Sequence, residues 1–156
     1  MEALIITIYC IVDDILKHIG FRDDLQATIS SSEIITIAIA AAMFFGGNQF
    51  VSMLYFRDMK LIKNHVSKGQ FNKRIHRIDG ARIWEVIFHT LSQAFKATND
   101  ANIYAVDSFP IEVCHNIRIS RSKIYTNEIY LRRCSSKRTC FFGIRVHMIL
   151  TATGTC

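Results

Sequence analysis

The sequence predicts an α+β chain with its two kinds of element segregated, helices over the first hundred residues or so and strands after them. Three observations predict this. Apolar residues recur at helical spacing up to about residue 97, bracketed by helix-capping residues. Beyond Asn99-Asp100 the apolar period falls to two. The charge changes at the same place: residues 1–100 carry 11 Lys and Arg against 10 Asp and Glu, and residues 101–156 carry 8 against 3, so most of the net +6 belongs to the second part. The expected division is therefore a helical region at 1–98 and the start of a second domain at 99–156.

The elements follow in order. Residues 2–19 read as a helix closed by Gly20. Ser30 and Glu33 have capping-box spacing, in which the serine oxygen accepts an orphan amide and the glutamate accepts the serine's own; the apolar helix they open runs to Gly46-Gly47. Asn48 caps a further helix reaching about Ile62. Ser67 and Gln70 repeat the capping box. In the helix they start, Phe71, Ile75 and Ile78 form the inward stripe, leaving Gln70, Lys73, Arg74 and Arg77 on the outer face. After Asp79-Gly80 a last helix spans about Ala81 to Ala97, with Trp84, Phe88, Leu91 and Phe95 as its expected core stripe. Tyr104 and Trp84 are both assigned to the core.

Ile103-Tyr104-Ala105-Val106 reads as a short strand that delivers Asp107 to its end, with Pro110, the only proline, ending the run. Ile103, Ala105 and Asp107 share one face. A second strand is clearer: Phe142, Ile144, Val146, Met148 and Leu150 alternate with Phe141, Gly143, Arg145, His147 and Ile149. Thr153-Gly154 then has the look of a hairpin turn. Between the strands, residues 111–140 carry Arg118, Arg121, Lys123, Arg132, Arg133, Lys137 and Arg138 with Tyr125 and Tyr130 interleaved. That composition suits a surface tracking a phosphate backbone and stacking on bases, and equally a solvated basic loop.

Several function classes drop out. The five cysteines, at 10, 114, 134, 140 and 156, are odd in number and form no C-x-x-C pair, so a disulfide framework and a tetrahedral zinc site are not indicated; reduced thiols fit a cytoplasmic protein. Ala3–Val12 is flanked by Glu2 and by Asp13-Asp14, the wrong charges for a signal peptide, and Ile34–Phe45 falls short of the roughly 20 residues that span a membrane. Both read as core helices, and no membrane partner is expected. A nucleophile reading, with Ser108 attacking, His115 or His147 as base and Asp107 orienting, lacks the G-x-S-x-G elbow. The glycine spacings match neither a P-loop nor a dinucleotide fingerprint. Metal-assisted phosphoryl transfer remains, with Asp107 as the candidate catalytic and metal-binding carboxylate. Two-metal chemistry needs several acids from separate elements, and the only others after residue 100 are Glu112 and Glu128.

The run Val106-Asp107-Ser108-Phe109-Pro110, followed by Val113-Cys114-His115-Asn116-Ile117-Arg118 and Arg121-Ser122-Lys123, resembles the first catalytic block of bacterial insertion-sequence DDE transposases, in the branch named after insertion sequence nine-eight-two. Ser135-Ser136-Lys137, Phe141-Phe142-Gly143-Ile144-Arg145-Val146-His147 and Thr151-Ala152-Thr153-Gly154 are similar to later blocks. Ser32-Glu33-Ile34-Ile35-Thr36, Phe45-Gly46-Gly47-Asn48 and Phe71-Asn72-Lys73-Arg74-Ile75-His76-Arg77 resemble the helical region upstream. The chain departs from the pattern at Leu131-Arg132-Arg133, where the family usually has a glycine and an aromatic residue before the cysteine.

The resemblance implies a ribonuclease-H-like domain, here incomplete with its first two strands, that cuts and joins DNA with two Mg²⁺ ions. Asp107 takes the place of the first acidic ligand. The family's second aspartate and glutamate come later than Thr151–Gly154 and have no counterpart here, so the expectation is an amino-terminal part of a transposase, truncated and inactive alone. A helix-turn-helix-like bundle ahead of it would lay Lys73, Arg74 and Arg77 on terminal-repeat DNA, with Arg118, Arg121, Lys123, Lys137 and Arg138 as further DNA contacts. A homo-oligomer, or pairing with a full-length transposase, is the expected assembly. The competing expectations are a non-catalytic DNA-binding or regulatory fragment and a remnant without function.

Overall fold

The computed structural model describes residues 1–64, 66–97, 103–114, 116–122, 125–134 and 138–151. The chain divides into two units, Met1–Leu91 and Ser92–Cys156. Five α-helices and a three-stranded antiparallel sheet are present among the described residues, an α+β chain as the sequence predicts. Asn99-Asp100 and Thr153-Gly154 lie outside the described residues.

The first unit contains α1 (Glu2–His18), α2 (Ser31–Phe44), α3 (Gln49–Asp58), α4 (Lys68–Gly80) and the amino-terminal part of α5 (Ile83–Ala97). The capping signals all hold. Ser30 Oγ accepts the Glu33 amide at 3.1 Å while Glu33 accepts the Ser30 amide at 2.7 Å. Ser67 and Gln70 make the same reciprocal pair at 3.3 and 3.1 Å, and Asn48 Oδ1 accepts the Val51 amide at 3.2 Å. Each satisfies donors that a helix start leaves unpaired.

Helix ends carry less signal in the sequence than helix starts. The third helix, expected to reach about Ile62, stops at Asp58 because Lys60 adopts a left-handed φ of 54°. The Leu61 amide then donates back to the Phe56 carbonyl at 2.9 Å, and the Lys60 amide to Arg57 at 3.0 Å. This closure is usually made by glycine; Gly20, with a φ of 68°, makes it after α1. A lysine there leaves no signal in the sequence. Likewise Gly80 remains helical, and Arg82, at a φ of 56°, makes the break before α5.

The core of this unit gathers around α2, where Ile34, Ile35, Ile37 and Ala40 are fully buried against Val12, Phe56, Phe71 and Ile78. Polar links join the helices inside it. Ser52 Oγ on α3 donates to the Ile37 carbonyl of α2 at 2.9 Å, and Ser32 Oγ on α2 donates to Asp13 of α1 at 2.8 Å. The expected stripe of α5 is corrected. Ile83 and Ile87 are buried, with Val86, Leu91 and Trp84 packed beside them, whereas Phe88 is exposed. The inward face of α5 is thus centred on Ile83 and Ile87, one residue before Trp84 and Phe88, which keeps Trp84 and Leu91 at the core's margin and turns Phe88 outward.

No single described helix is long and apolar enough to cross a membrane; α2 and α3 pass together on composition but are bent by 112° at their connection.

The sheet has the order β1-β3-β2, from β1 (Tyr104–Cys114), β2 (Leu131–Cys134) and the central β3 (Thr139–Thr151). Three expectations are corrected here. The strand carrying Asp107 is not a short run ended by Pro110: it continues through Pro110, opposite Arg145, to Cys114. An edge strand turns every second amide away from its partner, so a proline is accommodated there that a central strand would reject. The second correction is β2, which adds a third strand, within the basic segment 111–140, to the two that were expected. Tyr104 is also exposed rather than part of the core. A register shift between Glu112 and Cys114 marks a bulge. Beside it β1 passes so close to Gly143 that a Cβ at that position would fall onto the Ile111 carbonyl oxygen.

Candidate functional site

Asp107 is the fourth residue of β1 and lies opposite Met148. Directly opposed residues of an antiparallel pair share a face. Asp107 therefore projects with Ala105, Phe109, Met148, Val146 and Leu150, an apolar face with one acid in it. Its carboxylate is exposed, and Oδ1 accepts the Ser108 amide at 2.7 Å, which aims the group; among the described residues Oδ2 has no hydrogen-bond donor.

The other face of the same strands carries different chemistry. Ser108 is opposite His147, Pro110 opposite Arg145 and Glu112 opposite Gly143. The strand thus separates Asp107 from both Glu112 and the Ser108–His147 pair, so Asp107 is not placed to orient His147 in a serine triad. His115 lies outside the described residues. Glu128 begins a short 3-10 helix, Glu128–Tyr130, and is exposed.

Among the described residues no group of three or more His, Cys, Asp or Glu side chains converges as a metal site. Among the described residues Asp107 presents one exposed carboxylate, which fits one ligand of a divalent ion and does not fit the several-acid set of a two-metal centre. The described residues therefore do not by themselves fit the two Mg²⁺ ions that the resemblance implies.

The basic residues fall into three places. Arg118 and Arg121 are exposed on a 3-10 helix, Asn116–Arg121, whose three-residue period puts both on one side. Arg138 is exposed in the turn before β3, with a φ of 51°. Lys123 and Lys137 lie outside the described residues. On α4, Lys73 and Arg77 are exposed, and with Gln70 they line a cleft of about 270 Å³ against residues 24–29.

Arg74 differs from its neighbours. Its side chain is only 16% exposed, and Nη2 donates to Asp23 at 2.7 Å and to Ser31 Oγ at 3.0 Å. Asp23 in turn accepts the Ser31 amide at 2.8 Å, so the pair clasps the start of α2 to α4. Arg77 donates to Asp24 at 3.3 Å in a more exposed pair. That guanidinium helps hold the Asp24 carboxyl below its usual range, although the Gln26 amide contributes more.

A fourth basic cluster joins residues that the sequence names apart, in the 111–140 segment and on the second strand. Tyr130, Arg132, Arg133, Arg145 and His147 line a cleft of about 640 Å³ together with Ile129, Gly143 and Ile144. The period-two pattern already placed Arg145 and His147 on one side of β3. What was missing was β2, which brings Arg132 and Arg133 alongside.

Residues 97–156 match the family model described as a transposase DDE domain. No curated protein and no solved structure matches the chain. The matched segment contains all three strands and Asp107, so this part of the chain is similar to the DDE domain of transposases.

Proposed function

We propose that the chain serves DNA transposition, as a protein of the insertion-sequence nine-eight-two branch with a ribonuclease-H-like segment at 99–156 and a DNA-binding helical region at 1–98. In this reading Asp107 is an active-site carboxylate of a Mg²⁺-dependent strand-transfer centre, working in the cytoplasm on transposon ends. Lys73, Arg77, Arg118, Arg121, Lys123, Lys137 and Arg138 contact the phosphates of that DNA, and Arg74 contributes chiefly by holding α4 to the start of α2. The observation that carries the reading is the position of Asp107: an exposed, amide-anchored carboxylate on the edge strand of the very segment that matches the DDE model.

A second reading, a DNA-binding module that occupies transposon ends or pairs with a full-length transposase, is favoured by one further observation. No described acid accompanies Asp107 on its face of the sheet.

One experiment tests both. The chain is mixed with duplexes carrying the DNA that borders its coding sequence, and both binding and nicking in Mg²⁺ are followed. Binding should weaken along a straight line in log salt. Nicking that Asp107→Asn abolishes without loss of binding supports the catalytic reading; binding without nicking by the intact chain supports the module. A chain that leaves these duplexes unbound at low salt overturns both.

A further inference from the structure

We propose that the cleft between β3 and β2 binds the sugar–phosphate backbone of a DNA strand, at the edge of β3 away from β1, the strand that carries Asp107. The inference rests on the DNA reading above and joins Arg145 and His147 of β3 to Arg132, Arg133 and Tyr130 of the basic segment.

Arg132 is opposite Phe141 in the β2–β3 pair and therefore shares a face with Gly143, Arg145 and His147, the face that also holds Ser108 and not Asp107. Arg133 points to the other side of β2 but borders the same cleft. The lining is thus three guanidiniums, an imidazole and the phenol ring of Tyr130, with no carboxylate among them.

None of the ion pairs between described residues involves Arg132, Arg133 or Arg145. This contrasts with Arg74 and Arg77, each already matched to an aspartate. Glu112, opposite Gly143, is the acid that shares this face; it neither lines the cleft nor pairs with Arg145. Three unneutralised guanidiniums around one concavity make a positive field that a polyanion relieves. Their planar forks match phosphate oxygens in a way a lysine cannot. Tyr130 adds an aromatic face at the rim; it already lies 4.6 Å from Tyr125, centroid to centroid, so the rim offers a small aromatic platform.

The alternative occupant is a strand. Among the described strands β2 pairs only with Thr139–Phe142, which leaves β3 from Gly143 onward unpaired on that side. A strand pairing along Gly143–His147 would fill the cleft, and the test has to tell the two apart.

The full chain is titrated with a labelled duplex of arbitrary sequence over a range of salt, because backbone contacts carry no sequence preference. Arg132→Gln with Arg145→Gln should weaken binding by about tenfold or more and flatten the log-affinity against log-salt slope by about 2, with far-UV circular dichroism unchanged. The charge-keeping pair Arg132→Lys with Arg145→Lys should hold the wild-type slope. In the unaltered chain, added DNA should shift the His147 ring resonances.

Wild-type slope in the Gln pair, or His147 resonances that ignore DNA, overturns the proposal while leaving the transposition reading standing, provided Lys73→Gln with Arg77→Gln weakens binding. Gly143–His147 amides protected from exchange on both edges without DNA would assign the cleft to a strand and also overturn it. A wild-type chain that binds no DNA removes both the proposal and the reading beneath it.

Discussion

In the helical unit, Ile34, Ile35 and Ile37 on α2 and Phe71 on α4 are wholly enclosed; in the sheet, Val106 is 73% and Ile149 62% exposed although they oppose each other on the same face. Both regions are rich in β-branched and aromatic residues, so composition does not explain the contrast. Geometry does. A helix surrounded by other helices buries most of its circumference, and α2 has neighbours in α1, α3 and α4. A single sheet buries a face only where another layer covers it, and the described residues of the second unit cover mainly the β2 end, where Phe141, Phe142 and Cys134 are buried. The helical unit is therefore held by its core, and the sheet by long backbone pairing along β1 and β3.

The largest effect should come from breaking that core. Phe71 is completely buried on α4, and Phe71→Ala should cost the helical unit about 3–5 kcal/mol, read as a lower urea midpoint in far-UV circular dichroism. A shift under about 1 kcal/mol would mean that the helices are not held by this packing. Gly143→Ala probes the other region. Its Cβ would strike the backbone of Ile111, which cannot turn aside as a side chain can. The substitution should cost about 1–3 kcal/mol and should strip exchange protection from β1 and β3 amides around the bulge. Equal loss of protection in α2 would contradict a stability seated in the pairing itself.

How much of this was legible follows from where each signal resides. Helix starts are local chemistry: Ser30-Glu33, Asn48 and Ser67-Gln70 announce themselves because the cap and its partner lie three residues apart. Helix ends at Lys60 and Arg82 were not legible, because a left-handed residue other than glycine is selected by surrounding packing. The inward face of β3 followed from alternation. The extent of β1 did not, since Pro110 is a stop signal unless the strand is known to be an edge, and edge position is a property of the whole sheet. For the site, Asp107 stood out from its flanking residues, whereas the commitment of Arg74 to Asp23, 51 residues away in sequence, required the fold. The Arg132–Arg145 grouping likewise depended on a strand pair that no local pattern revealed.

The smallest expected effect sharpens the view that the helical unit also uses polar links between helices. Asp13 on α1 pairs with Lys17 at 2.5 Å and accepts a hydrogen bond from Ser32 at the start of α2. The Lys17 contact, and after it the Ser32 hydroxyl, outweigh partial burial and hold the Asp13 carboxyl below its ordinary 3.8. A depressed folded value means that the charged form stabilises the fold: the contribution is complete above the ordinary value and fades as pH falls through the lower folded one. Asp13→Asn keeps an oxygen for Ser32 but removes the charge. It should lower stability by no more than about 1 kcal/mol near neutral pH, and the difference from wild type should close in acid. Urea midpoints of the two proteins between about pH 6 and pH 2 measure this. Curves that run parallel throughout would show that the link acts through its hydrogen bond alone, with no contribution from the carboxylate charge.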